Sequence, residues 1–137
     1  MYATAGNHEY HRNVSALIEY TNLDPTGRWY YPDFYYSVSY LNGRVLMLML
    51  DTAALGRHKP WDYATGNRTD EDKLDREGPQ YDWIRGTLVS NSQAEVVVVS
   101  THYPVYSAGD HGSQKDFYSA FKNLFHSLRA RFLLENF

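Results

Sequence analysis

Residues 34–52, FYYSVSYLNGRVLMLMLDT, change their periodicity half-way. Phe34, Tyr36, Val38 and Tyr40 alternate with Tyr35, Ser37 and Ser39, whereas Val45–Leu50 is apolar without a break. Alternation fits a strand with one face on a core, and an unbroken apolar run fits a strand buried on both faces. Between them stands Asn42-Gly43, the dipeptide favoured in a type I′ turn because both central positions need positive φ. The stretch therefore predicts a β-hairpin whose return strand lies inside the molecule.

The rest of the chain supplies what such a strand needs around it. Tyr2–Ala5 fits the end of a strand. Ala16–Leu23 is compatible with a helix, and Pro25 and Gly27 end it. Residues 56–78 are polar and aperiodic, and predict a long surface loop. Pro79 suits a helix's first turn, and Tyr81, Ile84 and Leu88 share one face of the helix it opens. EVVVVST, residues 95–101, has the β-branched run of a central strand. Phe117, Phe121, Leu124, Leu128 and Phe132 recur at helical spacing and predict a helix from Asp116 to Leu134. Strands and helices mixed in this order predict an α/β arrangement.

Composition narrows the function. At 137 residues the chain fits one domain or part of one, and 43% hydrophobic residues suffice for a core. A net charge of −3 argues against a nucleic-acid binder. With no cysteine there is neither a disulfide framework nor a thiolate metal site. No apolar run approaches the roughly 18 residues of a membrane span, and MYATAGNHEY lacks the pattern of a signal peptide.

Two polar clusters follow strands. One is Gly6-Asn7-His8-Glu9. The other is His102 in STHYP, with His111 nine residues on in GDHG. In open α/β sheets ligands bind beyond the carboxyl ends of the strands. An amide oxygen on Asn7 and an imidazole nitrogen on His102 are both metal donors. Histidines beside them can bind phosphate oxygens or protonate a leaving alkoxide. On the residues alone, a capped turn and a strand-end histidine bonded to backbone account for the same pattern.

Taken in order, the motifs say more. GNHE, the sequon-bearing NVSALIEY, the hairpin ending MLDT, QYDWI, and HYPVYS followed by HG run across most of the chain. The set resembles the calcineurin-like metallophosphoesterase superfamily, and within it the purple acid phosphatases of the tartrate-resistant type. The resemblance implies an α/β fold: a portion of a metallophosphoesterase β-sandwich flanked by helices, incomplete at both ends, with residues 1–137 as one partial domain. It also implies hydrolysis of phosphoric monoesters by a metal-bound water at a dinuclear centre of iron with iron, zinc or manganese. By matching motif, Asn7 and His102 would be ligands of the second metal, His8 would contact the substrate phosphate, and His111 would bind substrate and serve as candidate proton donor.

The family's upstream Asp and Tyr ligands and its downstream GHxH have no counterpart here. The expectation is a chain inactive by itself, whose longer parent is the acid phosphatase. The rival expectations are a non-catalytic remnant or binding protein, or a phosphodiesterase of the same superfamily. Asn13-Val14-Ser15 and Asn67-Arg68-Thr69 are N-glycosylation sequons. With the resemblance they imply a secreted or lysosomal parent. The expected partner is a phosphomonoester, with no nucleic acid.

Overall fold

The computed structural model describes residues 1–11, 13–55, 78–104, 106, 108, 122 and 132–136. Its centre is a four-stranded sheet in the order β1-β2-β3-β4, with β1 Tyr36–Tyr40, β2 Val45–Met49, β3 Val96–Thr101 and β4 Phe132–Asn136. β1 and β2 pair antiparallel, while β2, β3 and β4 run parallel. This is a mixed sheet with its antiparallel strand at an edge. Among the described residues there is no second sheet.

The helices named among the described residues are α1 Ser15–Leu23, the single turn α2 Thr52–Leu55, and α3 Pro79–Ser90. A 3-10 turn spans Glu9–His11. Tyr36, Val38, Met47 and Met49 share one face of the hairpin, since Tyr36 registers with Met49 and Val38 with Met47. Leu17 and Ile18 of α1 pack there, together with Ala5, Val14, Trp29 and Tyr31. The other face carries α3, because Trp83 stacks on Tyr35 at 5.0 Å, on the side opposite Tyr36. Leu46, Leu48, Val97 and Val99 on that side are buried. The unbroken apolar run of β2 thus has its physical cause in a helix on each face. Each fully buried Leu or Val contributes about 1.5–3 kcal/mol.

The hairpin forms as expected, and its loop holds two overlapping turns. The Arg44 N–H donates to the Leu41 carbonyl at 3.3 Å around Asn42-Gly43, and the Gly43 N–H donates to the Tyr40 carbonyl at 3.1 Å around Leu41-Asn42. Leu41 (φ 52°), Asn42 (φ 55°) and Gly43 (φ 87°) are all left-handed. Tyr40 pairs with Val45, and that register leaves four residues to close the loop. Leu41 accepts an unfavourable conformation because the strand pairing requires it.

On α3 the buried stripe is Gln80, Ile84 and Leu88. Gln80, rather than Tyr81, begins it. Tyr2–Ala5 forms an isolated bridge between Tyr2 and Tyr30 in place of a strand end. The helix expected over 116–134 is corrected at its C-terminal part, where Phe132–Asn136 is a strand. There Phe132 pairs with Val97 and Leu134 with Val99, and backbone pairing on β3 outweighs local helical spacing. Within the rest of that segment Lys122 is described, and it is helical; its other residues, and residues 56–77 of the expected loop, lie outside the described residues.

Candidate functional site

β2 and β3 run parallel, so their carboxyl ends meet at one edge of the sheet. Past the end of β3 comes His102. Across from it lies the turn Gly6–Glu9, separated by 95 residues of chain. His102 Nε2 and Asn7 Oδ1 stand 3.0 Å apart, with both residues half-buried. Asn7 Oδ1 can only accept, so Nε2–H is the donor.

The approach depends on Gly6. A Cβ on that residue would lie 2.7 Å from His102 Cε1, 2.8 Å from Nδ1 and 2.9 Å from Nε2. Gly6 is required because the imidazole ring lies flat against its backbone, and the ring occupies the space any side chain would need. The Glu9 carboxylate closes the turn, accepting from the Gly6 N–H at 2.8 Å. Glu9 is therefore a turn-closing group. His8 is exposed on the same turn. Asn13 is exposed just before α1. His111, Asn67, Gly109 and Gly112 lie outside the described residues.

Sequence reasoning missed four side chains behind this pair. Asp51, just past β2, is 1% exposed, and Tyr10 Oη donates a hydrogen bond to its Oδ2. Gln80 grips the Asp51 backbone from both sides, its Oε1 accepting from N–H at 3.0 Å and its Nε2 donating to the carbonyl at 3.1 Å. Thr52 Oγ1 accepts from the Tyr103 N–H at 3.2 Å. Burial, and then its bond to Asp51, hold the Tyr10 hydroxyl well above its ordinary pKa. Burial and then the Asp51 charge push Tyr103 up to about 12. Tyr31 is raised by the same two causes in the same order. An acid closing an apolar run, as in MLMLDT, was the available sequence signal.

The family model for calcineurin-like phosphoesterases matches residues 1–133. The chain belongs to the calcineurin-like phosphoesterase family. Among curated relatives, the chain is 34% identical over 116 residues to tartrate-resistant acid phosphatase type 5 of Homo sapiens, a match covering 81% of the chain and 34% of the relative. It is 32% identical over 115 residues to the Mus musculus protein of that name, covering 81% and 34%. For the Sus scrofa protein of that name the figures are 33% over 112 residues, covering 79% and 32%. The chain thus spans about a third of the length of these relatives.

The Asn7 and His102 donors fit one edge of a metal's ligand shell. Neighbouring ligands with bond lengths of about 2.1 Å at right angles stand about 3 Å apart. Asn7 Oδ1 and His102 Nε2 have that separation. Among the described residues no group of three or more His, Cys, Asp or Glu side chains surrounds a common point. No helix among them is long and apolar enough to cross a membrane.

Proposed function

We propose that this chain carries part of a metal-dependent phosphomonoesterase site, with Asn7 and His102 as two ligands of one ion in a dinuclear centre of iron with iron, zinc or manganese. The 3.0 Å approach of the two donor atoms carries this reading. When bound, the metals would supply Lewis acidity toward the phosphoryl group and activate a water. Asn7, a neutral ligand, would leave the ion more acidic than a carboxylate would. His102 would exchange the proton on Nε2 for the ion. His8, exposed on the turn, would meet the substrate phosphate. His111 would donate a proton to the leaving alkoxide, a role carried over from the family motif.

The substrate class follows the relatives, which are tartrate-resistant acid phosphatases. Residues 1–137 would form one partial metallophosphoesterase domain, its sheet a layer of the family's β-sandwich. The parent would follow a secretory or lysosomal route, with Asn13 and Asn67 glycosylated. A glycosidase-sensitive mass shift on secretion from a eukaryotic host, lost in Asn13→Gln and Asn67→Gln, tests that part.

For the site, metal content per chain and phosphomonoester turnover are measured together, after exposure to iron and zinc. Stoichiometric metal that disappears in Asn7→Ala and in His102→Ala supports the ligand assignment. Metal uptake unchanged in both variants defeats it. Uptake without turnover would make the chain a metal-binding portion whose catalysis belongs to a longer parent.

A further inference from the structure

Asp51 is a buried acid, and none of the roles above uses it. A carboxylate taken out of water costs several kcal/mol unless hydrogen bonds replace its hydration. A leucine in its place would spare the chain that cost. What Asp51 and its neighbour do can be followed bond by bond.

The Asp51 side chain reaches Tyr10, three residues beyond Asn7. The intervening chain is short and stiff, because the Glu9 carboxylate binds the Gly6 N–H and Glu9–His11 is a 3-10 turn. Fixing Tyr10 therefore fixes Asn7. The Thr52 side chain reaches the other half. Its Oγ1 receives the N–H of Tyr103, the residue after His102. Thr101 Oγ1 donates to the Tyr103 carbonyl at 3.0 Å, so Tyr103 is held from two sides. The dipeptide itself cannot drift, since Gln80 holds the Asp51 backbone to the first turn of α3. Adjacent residues thus grip the two halves of the Asn7–His102 pair from one anchored point.

We propose that Asp51 and Thr52 are positioning residues that set the separation of Asn7 Oδ1 and His102 Nε2. What that separation serves rests on the reading of the pair as metal ligands; the positioning itself does not. Loop-borne donors need support of this kind, because a misplacement of about 1 Å is enough to leave a site present but ineffective. Groups behind metal ligands cost about 10–100-fold in affinity when they are removed.

The test uses the whole chain and two readouts. Imidazole nitrogen resonances of His102, assigned by their loss in His102→Gln, and the Asn7 side-chain amide resonances report the pair by NMR. Titration calorimetry with zinc alone reports affinity. Tyr10→Phe removes one hydroxyl and Thr52→Val one acceptor, and both keep the side-chain volume. Each is expected to shift the His102 and Asn7 resonances and to weaken zinc binding about tenfold or more. Asp51→Asn and Thr52→Ser keep an acceptor and are expected to restore the wild-type resonances. Folded Tyr10→Phe and Thr52→Val proteins with unchanged resonances would overturn the proposal, whatever zinc does. Should one variant fail to fold, the other together with the two conservative variants decides by the same resonances. If wild-type protein takes up no zinc but the resonances still shift and recover as expected, the positioning role stands and the ligand reading fails.

Discussion

β2 and β3 end in two very different ways. At their amino ends, Arg44 and Glu95 form a two-pronged ion pair, Nε to Oε1 at 2.7 Å and Nη2 to Oε2 at 2.8 Å, with both side chains exposed. At their carboxyl ends, Asp51, Thr52, Ser100 and Thr101 are all buried. Both ends must stop a hydrogen-bonded ladder. The amino end leaves its polar groups to water, so its pairing is dispensable. At the carboxyl end the buried polar groups are cut off from water and rely on protein partners, Asp51 on Tyr10 and Gln80, and Thr52 on Tyr103. Polar side chains concentrate at the end where the candidate site stands, and so does the dependence on exact partners.

The contrast is tested most severely by Gln80→Ala. It strips the Asp51 backbone of both partners in a buried place, and about 2–4 kcal/mol of stability is expected to go. Urea titration measures it, and a loss below about 1 kcal/mol would mean that water reaches the carboxyl end after all. Next comes Gly6→Ala. The added methyl meets the His102 ring, and a loss of about 1–3 kcal/mol is expected together with the His102–Asn7 bond. Thermal melting reads the first effect and the His102 resonances the second.

The two ends should also fail at opposite extremes of pH. Burial first, then Asp51, raises the Tyr103 hydroxyl from its ordinary 10.0 to about 12. The stability this represents is complete below pH 10.0 and is lost as pH rises toward about 12. Tyr10 and Tyr31 are shifted in the same direction. Unfolding free energy measured up this range is expected to fall, and to fall less steeply in Tyr103→Phe. At the hairpin the reverse holds. The bond from Arg44 lowers Glu95 below its ordinary 4.5, so its contribution is present above that pH and fades as pH falls through the lowered value.

Smaller effects belong to the exposed end. Leu41→Gly relieves a left-handed leucine, and a gain of about 0.5–1 kcal/mol is expected in thermal melts. Arg44→Ala should change least. It is expected to flatten the acid limb due to Glu95, to leave the alkaline limb untouched, and to matter less as salt rises. A large loss at neutral pH would erase the distinction between the two ends.

Much of the frame was legible. Alternation gave β1, the apolar run gave β2, and the valines gave β3, because each pattern lies within one short segment. The candidate pair was legible only through the family motif, since no local rule joins residues separated by 95 positions. Phe132 misled for a physical reason. Its spacing from Phe121, Leu124 and Leu128 fits a helix face, and pairing with β3 decided otherwise.

By itself, then, the sequence determined which segments could be strands or helices, where polar chemistry follows them, and that the helix-covered strand β2 had to be interior. Tertiary structure alone decided that Gly6 makes room for a ring, that Asp51 finds Tyr10, that Gln80 binds the Asp51 backbone, and that Leu41 joins Asn42 and Gly43 in the left-handed turn. The reason is common to all four. Periodicity fixes which face a residue occupies, but the partner of a buried polar group or a close-packed ring is chosen by whichever distant segment the fold brings within 3 Å or so.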